Sequence, residues 1–548
     1  MSHNPGGIVS ATVWTNGAIV TMNDHQPVVD AVLTFDDRIV ATGSLVDVQA
    51  SAPAKVRTVD LDGAVMFPGF IEAHNHMLMY GLGLASIDAR PNALPSIADL
   101  VGAIRDRAAV STEGQWIVAR GYDDNQLAER RHPTREDLDS ASSIHPVLVI
   151  NGSGHLAVAN SHALQLAKVA TDTADPDGGH IVRDDHGSAT GLLLETAQEL
   201  VKRHIPQPSD DDLYNALSAC QQRYLEAGIT SSHTAGVNSA AELRAHQRWS
   251  EASDHPIRVI MMIGHSMFPT IRDTGLRTGF GNDSLRLGPL KLFSDGSLIG
   301  RTAAVSEPFL DDPRDDNLGM EMMPADELNT IVAEGHREGF QVAIHAIGDR
   351  AIEMCLDAFQ QAQSASPRID PRHRIEHCGI LRPDLIQRLR DEAVIPVSQP
   401  VFIREYGDGF IRHLGRERTR LAYPFRSLLD QKIPLVFSSD CPVSAVAPLK
   451  SIQASVKELT DQGTAYAPQE AISAHQAIRC YTRNGAFAGF AERQLGMIAP
   501  GYLADFTILA DDPALVRPEQ IDSIQVVGTV IGGELVYQSP MVSPGRAN

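Results

Sequence analysis

The chain has 548 residues, of which 46 are Lys or Arg and 68 are Asp or Glu, so its formal net charge is −22. This charge argues against nucleic acid and anionic membranes as partners, because both repel an acidic protein without a basic patch. The length and the 43% hydrophobic composition are typical of a folded protein with one large domain and one or two smaller ones.

The beginning of the chain, MSHNPGGIVSATVWTNG, has no basic segment followed by an apolar run, and no later stretch is apolar for long enough to span a bilayer. We therefore expect a cytoplasmic protein. Its five cysteines are scattered and odd in number: Cys220, Cys355, Cys378, Cys441 and Cys480. This pattern indicates neither a disulfide framework nor a thiolate zinc site, so any metal must use nitrogen and oxygen ligands.

Short β-branched runs separated by turns mark both ends of the chain. Residues 8–65 contain ATVWTNGAIVTM and AVLTFDDRIVATG, and the segment after residue 490 contains YLADFTILA and SIQVVGTVIGGELVYQ. Runs of this kind predict short strands and hairpins. We therefore expect residues 1–65 and residues 491–548 to form one small β-sandwich beside a central domain.

Eight apolar, strand-like runs lie between these ends and alternate mostly with helix-like segments. They are AVMFPGFIEAHNH, AGITSSHT, IRVIMMIGH, GPLKLFSDG, FQVAIHAIGD, HRIEHCGI, AVIPVSQP and IPLVFSSD. Such alternation predicts an α/β fold of parallel βα units, and eight units predict a closed (β/α)8 TIM barrel over residues 66–490. Treating residues 90–228 as an insertion after the first strand leaves close to the roughly 250 residues of a typical barrel.

A pair of histidines ends the first barrel run. His74 and His76 are two residues apart in FPGFIEAHNH, so on a strand both imidazoles point to the same face and can bind one metal ion. The pair alone is weak evidence for a metal site, since this spacing often arises by chance and a histidine can also be a hydrogen-bonded core residue.

Four more candidate ligands lie near the carboxyl ends of later runs. They are Lys291 in GPLKLFSDG, His345 in QVAIHAIGD, His377 in HRIEHC and Asp440 in VFSSD. Catalytic residues of TIM barrels occupy this end of the strands. Nitrogen and carboxylate ligands around an ion with an open position are what zinc-dependent hydrolysis needs, because the bound water is then acidified to a pKa of roughly 7.

With these motifs in view, the chain resembles the amidohydrolase superfamily, specifically its YtcJ-like branch, which includes N-substituted formamide deformylases. The matching motifs are FPGFIEAHNH, KLFSDGSLIGRTAA, VAIHAIGDRAI, RIEHC, SSDCPV and LGMIAPGYLADFTIL, and the resemblance extends over nearly the whole chain. The resemblance implies zinc as the cofactor and a companion β-sandwich. It also implies the following metal ligands: His74, His76, His345, His377 and Asp440.

Lys291 is a ligand only if it is modified, because an ammonium group has no lone pair. The resemblance suggests that carbon dioxide carboxylates it, which gives a carbamate that bridges two zinc ions per chain. A buried lysine with a lowered pKa would be the reactive form. The alternative is an unmodified lysine paired with Asp295 or Asp440 beside a single zinc ion.

Asp440 and His155 have two interpretations each, and Glu376 has one. Asp440 can pass a proton from the metal-activated water to the leaving nitrogen, or it can be a helix N-cap in SSDCPV. His155, in NGSGHLAVANSHAL of the insertion, resembles a family residue that lines the substrate pocket or polarises the carbonyl, or it is a loop histidine satisfied locally. Glu376 is expected to point away from His377 on its strand and to be structural.

The predicted function is therefore metal-dependent hydrolysis of a non-peptide C–N bond in a small-molecule amide, with Asp440 and His155 as catalytic residues. An N-substituted formamide is the nearest named substrate class. The alternatives are another amide, a carbamate or a lactam, since the insertion and the loops set specificity, and a non-catalytic scaffold that has kept the barrel. A homodimer is the usual assembly of such enzymes.

Overall fold

The computed structural model describes residues 11–91, 93–124, 126–152, 156–312 and 316–540. Two compact units divide the chain. One combines Met1–Leu78 with Leu217–Asn548, and the other spans Met79–Ala216. The first unit contains a β-sandwich and a β/α barrel, and the second contains a six-stranded mixed sheet covered by helices.

The chain begins with seven short strands and one helix. They are β1 (Ala11–Thr15), β2 (Ala18–Val20), β3 (Val28–Val29), β4 (Ala31–Phe35), β5 (Arg38–Gly43), α1 (Leu45–Ser51), β6 (Arg57–Asp60) and β7 (Val65–Pro68). Strands β5, β4, β1 and β6 form a four-stranded sheet in that order. Alternate residues of β1 face opposite sides of this sheet, so that Val13 packs with Val48 of α1 while Trp14 enters the sandwich core.

The first barrel strand, β8 (Phe70–Asn75), follows β7 almost directly, and α2 (Met77–Leu84) follows β8. The second unit comes next in the chain. Its elements, with the helix that leads back to the barrel, are β9 (Ile87–Asp88), α3 (Ile97–Val110), β10 (Ile117–Tyr122), α4 (Arg135–Asp139), β11 (Val147–Asn151), β12 (Leu156–Ala159), α5 (Ser161–Leu166), β13 (Gly179–Arg183), β14 (Ala189–Glu195), α6 (Glu199–Lys202) and α7 (Asp210–Glu226).

In this second unit, the strands β9, β10 and β11 are parallel, and β12, β14 and β13 extend the sheet in antiparallel pairs. Apolar residues on the two faces of the sheet pack with different helices. Leu100 of α3 belongs to one core, and Leu164 of α5 belongs to the other. An insertion after the first barrel strand is thus confirmed, while its limits at residues 90 and 228, and the other predicted domain boundaries, stay predictions.

Seven further strands complete the barrel. They are β15 (Ile229–Val237), β16 (Arg258–Gly264), β17 (Leu285–Phe293), β18 (Val342–Ala346), β19 (Arg374–His377), β20 (Ile395–Ser398) and β21 (Val436–Phe437). With β8 they form one parallel eight-stranded sheet in chain order. All seven residues of β16, RVIMMIG, are buried, as expected for a parallel strand covered on both faces.

Hydrogen bonds between the end of the first strand and the residues that follow the last strand nearly close this sheet into a barrel. The amide of Asp440 donates to the carbonyl of His74 over 3.0 Å, and the amide of His76 donates to the carbonyl of Cys441 over 2.8 Å. All eight predicted strand runs are therefore confirmed as strands of one TIM barrel. Closure places the residues that follow β21 beside those that end β8.

Ten helices cover the barrel or follow it. They are α8 (Ala240–Ala252), α9 (Phe268–Asp273), α10 (Ala325–Arg337), α11 (Asp349–Ala365), α12 (Pro383–Asp391), α13 (Val401–Thr419), α14 (Phe425–Asp430), α15 (Pro448–Lys457), α16 (Ala474–Tyr481) and α17 (Arg483–Ala488). Local sequence sets several of their starts. Pro383 and Pro448 occupy first-turn positions, where a missing N–H costs nothing, and Ser473 caps α16 in a reciprocal pair with Gln476.

The chain ends in three strands that return to the sandwich: β22 (Phe506–Leu509), β23 (Val526–Ile531) and β24 (Glu534–Gln538). They join β7, β2 and β3 in one six-stranded sheet. Its inner face packs on the four-stranded sheet, and the ring of Phe506 meets that of Trp14 edge-on, with the ring centroids 5.8 Å apart. The sandwich built from both ends of the chain is confirmed. None of the helices in the described ranges is both long and apolar enough to cross a membrane.

One buried histidine of the barrel wall makes stability depend on pH. His246 of α8 is 1% exposed, and its Nδ1–H donates to the Glu242 carbonyl. Burial lowers the pKa of His246 to about 4, compared with about 6.5 in an unfolded chain. The folded state therefore binds fewer protons. The free energy of unfolding therefore keeps the full contribution of His246 above pH ~6.5. This contribution is lost, at up to ~1.4 kcal/mol per pH unit, as the pH falls towards 4.

We expect His246→Phe to reduce the loss of unfolding free energy between pH 6.5 and pH 4.5, as measured by urea denaturation at each pH. His255→Phe is the matched control, because His255 is exposed in the loop after the same helix and should keep the slope of the natural protein. If the unfolding free energy changes with pH equally in both variants, His246 does not titrate as its burial requires.

Candidate metal centre

Every described residue of the predicted ligand set lies at the carboxyl end of a barrel strand or directly after it. His74 lies in β8, Lys291 in β17, and His345 in β18. His377 is the last residue of β19, and Asp440 follows β21 by three residues. Because parallel strands of a barrel end at the same rim, these side chains converge. His155 lies outside the described residues.

Three buried side chains form the centre of the site. Ligand atoms of His74, His377 and Asp440 all lie within 4.8 Å of one another. Asp440 Oδ1 is 3.4 Å from Nε2 of His74 and 3.2 Å from Nε2 of His76. His76 is the most open of the four, with 22% of its side chain exposed. The two histidines of the first strand therefore flank the aspartate of the last.

Hydrogen bonds fix which ring nitrogen of His76 and His377 can bind a metal. Nδ1–H of His76 donates to the Ala235 carbonyl over 3.1 Å, and Nδ1–H of His377 donates to Oε1 of Gln399 over 2.8 Å. The amide group of Gln399 is oriented in turn, because its nitrogen donates to the Val397 carbonyl. In both rings the proton is thus on Nδ1, which leaves the lone pair of Nε2 free.

His74 has the same arrangement with a charged partner. Its Nδ1–H donates to Oε2 of Glu376 over 2.5 Å, so Nε2 faces Asp440. Burial alone would lower the pKa of His74, but the carboxylates of Glu376 and Asp440 raise it above its usual value. The raised pKa favours a second proton, on Nε2. A metal cation bound at Nε2 would take the place of this second proton.

His345 completes the histidine set in a different orientation. Its ring centroid is 4.5 Å from that of His377, while its Nε2–H donates to the Gly296 carbonyl over 2.8 Å, so Nδ1 carries the lone pair. Burial lowers the pKa of His377 to about 4 and that of His345 well below its usual value. Both rings are therefore neutral at physiological pH, which is the form that binds zinc.

The donor set fits a divalent cation. Asp440 Oδ1 is buried and has no hydrogen-bond partner among the described residues, although two imidazole Nε2 atoms lie close to it. Lone pairs that face one another in a buried site repel unless a cation or a proton lies between them. Burial alone would raise the pKa of Asp440, but positive charge on the neighbouring imidazoles, foremost a proton on the ring of His74, lowers it well below its usual range. The residue is thus a carboxylate.

Lys291 is buried beside this centre and forms no ion pair with any residue that the structure describes. It is 1% exposed, and Nζ lies 4.2 Å from the ring centroid of Phe293. No carboxylate oxygen of the described residues lies within 4.0 Å of Nζ, so the ion pair of Lys291 with Asp295 or Asp440 is absent among them, while an unmodified lysine beside a single zinc ion stays an alternative. Asp295 instead accepts three backbone N–H groups, from Ala304, Ile347 and Gly348. Burial lowers the pKa of Lys291 to about 8.

The expected orientation of Glu376 is wrong. It shares the inner face of β19 with Arg374, and both side chains are 0% exposed. His377 adopts φ 70°, a left-handed conformation that ends the alternation of the strand and turns its imidazole to the same side. The N-cap interpretation of Asp440 is also wrong, because the next helix, α15, begins only at Pro448.

Glu72 is a further buried group that the sequence motifs did not reveal. It is 0% exposed on β8, two residues before His74, and its Oε1 accepts the amide N–H of Ser439 over 2.6 Å. Burial raises the pKa of Glu72 to about 8. The contact ties the first strand to the residue before Asp440. The sequence contained one signal for this position. Glu72 is two residues before His74, so both side chains lie on the same face of the strand.

The chain is similar to known proteins over almost its whole length. It is 31% identical to the putative amidohydrolase YtcJ of Bacillus subtilis, with 96% of this chain and 99% of that protein covered. It is 28% identical to the N-substituted formamide deformylase of Arthrobacter pascens, with coverages of 95% and 97%.

Among solved structures, an uncharacterized metal-dependent hydrolase from Pyrococcus horikoshii superposes with a TM-score of 0.78 at 27% identity. That comparison covers 93% of this chain and all of the other. Residues 57–537, which include the barrel and the centre described above, match the amidohydrolase family. The chain therefore belongs to the amidohydrolase family.

Proposed function

We propose that this protein is a metal-dependent hydrolase of small-molecule amides and that its substrates include N-substituted formamides. The observation that carries the proposal is the buried Asp440 carboxylate, whose Oδ1 faces two imidazole nitrogens and has no hydrogen-bond partner in the part of the chain that the structure describes. Membership of the amidohydrolase family supports the reaction class. Similarity over nearly the full length to an N-substituted formamide deformylase supports the substrate class.

The predicted ligands would hold the metal, which we propose to be zinc: His74, His76, Lys291 as a carbamate, His345, His377 and Asp440. When bound, the metal supplies a water that loses its proton near neutral pH, and it polarises the amide carbonyl. Asp440 holds that proton on its carboxylate and returns it to the leaving nitrogen. His76 and His377 keep their Nδ1 protons through the partners described above, and their Nε2 lone pairs would bind the metal, so neither ring competes with Asp440 for the transferred proton.

Exposed apolar side chains beside the centre favour a substrate with an apolar substituent. Phe293, at the end of β17, is 43% exposed, and its ring centroid lies 5.4 Å from that of His345. Met322 is 60% exposed, and its amide donates to the carbonyl of Ser294, the neighbour of Phe293. An apolar group of a bound amide would cover these surfaces and gain roughly 25 cal/mol for each Å² removed from water.

Phe293→Ala is expected to lower kcat/KM roughly tenfold for a formamide with an apolar N-substituent, since burying an aromatic side chain contributes about 1.5–3 kcal/mol. It should change turnover of unsubstituted formamide far less. Phe280→Ala is the matched control, because Phe280 is also exposed, at 59%, but lies before the opposite end of β17. Equal losses on both substrates would argue against contact between Phe293 and the substituent.

A substrate panel tests the proposed function. Protein reconstituted with zinc is mixed with N-alkyl and N-aryl formamides, longer amides, carbamates and lactams, and the released amine and formate are measured separately. We expect formate and amine in equal amounts from N-substituted formamides. If the protein hydrolyses another class of compound in the panel and releases no formate, the proposed hydrolase activity is supported but the proposed substrate class is wrong. Absence of both bound metal and turnover would favour a non-catalytic scaffold. The cytoplasmic location and the homodimer stay predictions.

A further inference from the structure

Glu376 is held by two groups in the interior of the barrel. Arg374 donates from Nε to Oε1 over 2.7 Å and from Nη2 to Oε2 over 2.9 Å. His74 donates from Nδ1 to the same Oε2 over 2.5 Å. All three side chains are at most 1% exposed. The carboxylate therefore joins a guanidinium to an imidazole whose other nitrogen faces Asp440.

Further contacts anchor Arg374 itself. Its Nη2 donates to the Ala73 carbonyl of β8 over 2.7 Å, and its Nη1 donates to Nδ1 of His233 in β15 over 2.9 Å. The guanidinium thus links three barrel strands, β8, β15 and β19. A planar group fixed at several donors leaves the paired carboxylate little freedom to rotate. The position of Glu376 Oε2 is consequently set by the barrel rather than by His74.

We propose that Glu376, held by Arg374, is a positioning residue that presents Nε2 of His74 to the metal. Because Glu376 accepts a hydrogen bond from Nδ1–H, His74 keeps the tautomer whose Nε2 lone pair is available, and the short contact fixes the orientation of the ring. A negative charge at Nδ1 also makes Nε2 a stronger donor. This inference rests on the proposed metal-dependent function and adds two residues outside the ligand set.

A purely structural role for the Arg374–Glu376 pair would have a different signature. Loss of a buried ion pair destabilises a protein wherever it lies, so stability alone does not separate the two roles. Metal affinity separates the two roles, because only a positioning residue alters the orientation and the donor strength of the His74 nitrogen that binds the metal. The chain provides a matched pair for comparison. Arg258 and Asp505 are buried and form two hydrogen bonds, of 2.5 and 2.9 Å, between the barrel and the sandwich.

The experiment compares Glu376→Gln with Asp505→Asn in the full-length protein. Each change replaces a buried carboxylate by its amide. Zinc affinity is measured by competition with a chromogenic chelator, and the absorption spectrum of the Co²⁺-loaded protein reports the ligand geometry. We expect Glu376→Gln to weaken zinc binding about 10–100-fold and to shift the Co²⁺ bands. Asp505→Asn should leave both unchanged even where it lowers Tm.

Glu376→Asp keeps the charge but shortens its reach, and it decides the outcome if the glutamine variant does not fold. Its expected zinc affinity lies between those of the natural protein and Glu376→Gln. The inference is overturned if the folded Glu376 variants bind zinc as tightly as the natural protein, or if Asp505→Asn weakens binding equally. Failure of the natural protein to bind zinc would overturn the proposed function instead, so the two failures are distinguishable.

Discussion

His74→Ala and His345→Ala are each expected to lose most of the bound metal and essentially all turnover. His74 is one of three side chains whose ligand atoms lie within 4.8 Å of one another, and the ring of His345 packs against that of His377. The loss should exceed the roughly 10–100-fold effect of removing a partner that only orients a ligand. Metal content is measured by mass spectrometry of the purified protein, and turnover is measured with the best amide of the panel.

His246→Ala is the control for removing a buried imidazole. It leaves a cavity in the barrel wall and should cost stability, but metal content should be unchanged because His246 lies on helix α8, away from the strand ends. Full activity of His74→Ala would refute the centre. Loss of metal in His246→Ala as well would show that unfolding, rather than the loss of a ligand, explains the result.

The sequence predicted the barrel because its strands are strongly patterned. Parallel strands buried on both faces are read as short apolar runs, and IRVIMMIGH is one of them. It also predicted that both ends of the chain share a sandwich. The limits of the insertion were harder to predict, because the helix that leads back to the barrel, α7, spans residue 217, where the compact second unit has already ended.

The sequence placed the six candidate ligands on strand ends but could not describe what surrounds them. The rule that side chains alternate along a strand failed at Glu376, because the φ of His377 is positive and no residue type requires this there. The partner of His377, Gln399, lies 22 residues away, directly after the next strand, β20. Such partners arise from the closure of the barrel, and spacing along the chain does not contain them.

Lys291→Ala is expected to reduce the metal content from near two ions per chain to near one or below, and to reduce turnover by at least about 100-fold. Five other candidate ligands can saturate one ion, but a second ion would lack anionic oxygens unless Lys291 supplies them. Carboxylation joins Nζ to the carbon of carbon dioxide with release of a proton, so it needs the neutral amine. With a pKa of about 8, about a tenth of the amine is neutral at pH 7.

Two experiments and a control variant test this prediction. Protein equilibrated with ¹³C-bicarbonate should show a carbamate signal by ¹³C NMR that Lys291→Ala lacks, and short-chain carboxylates should partly restore metal and turnover to the variant. Lys457→Ala is the control, because Lys457 lies at the end of helix α15, where Nζ is 3.7 Å from a Glu519 carboxylate oxygen. One metal ion at full activity, with no carbamate signal, would instead establish a mononuclear centre beside an unmodified lysine.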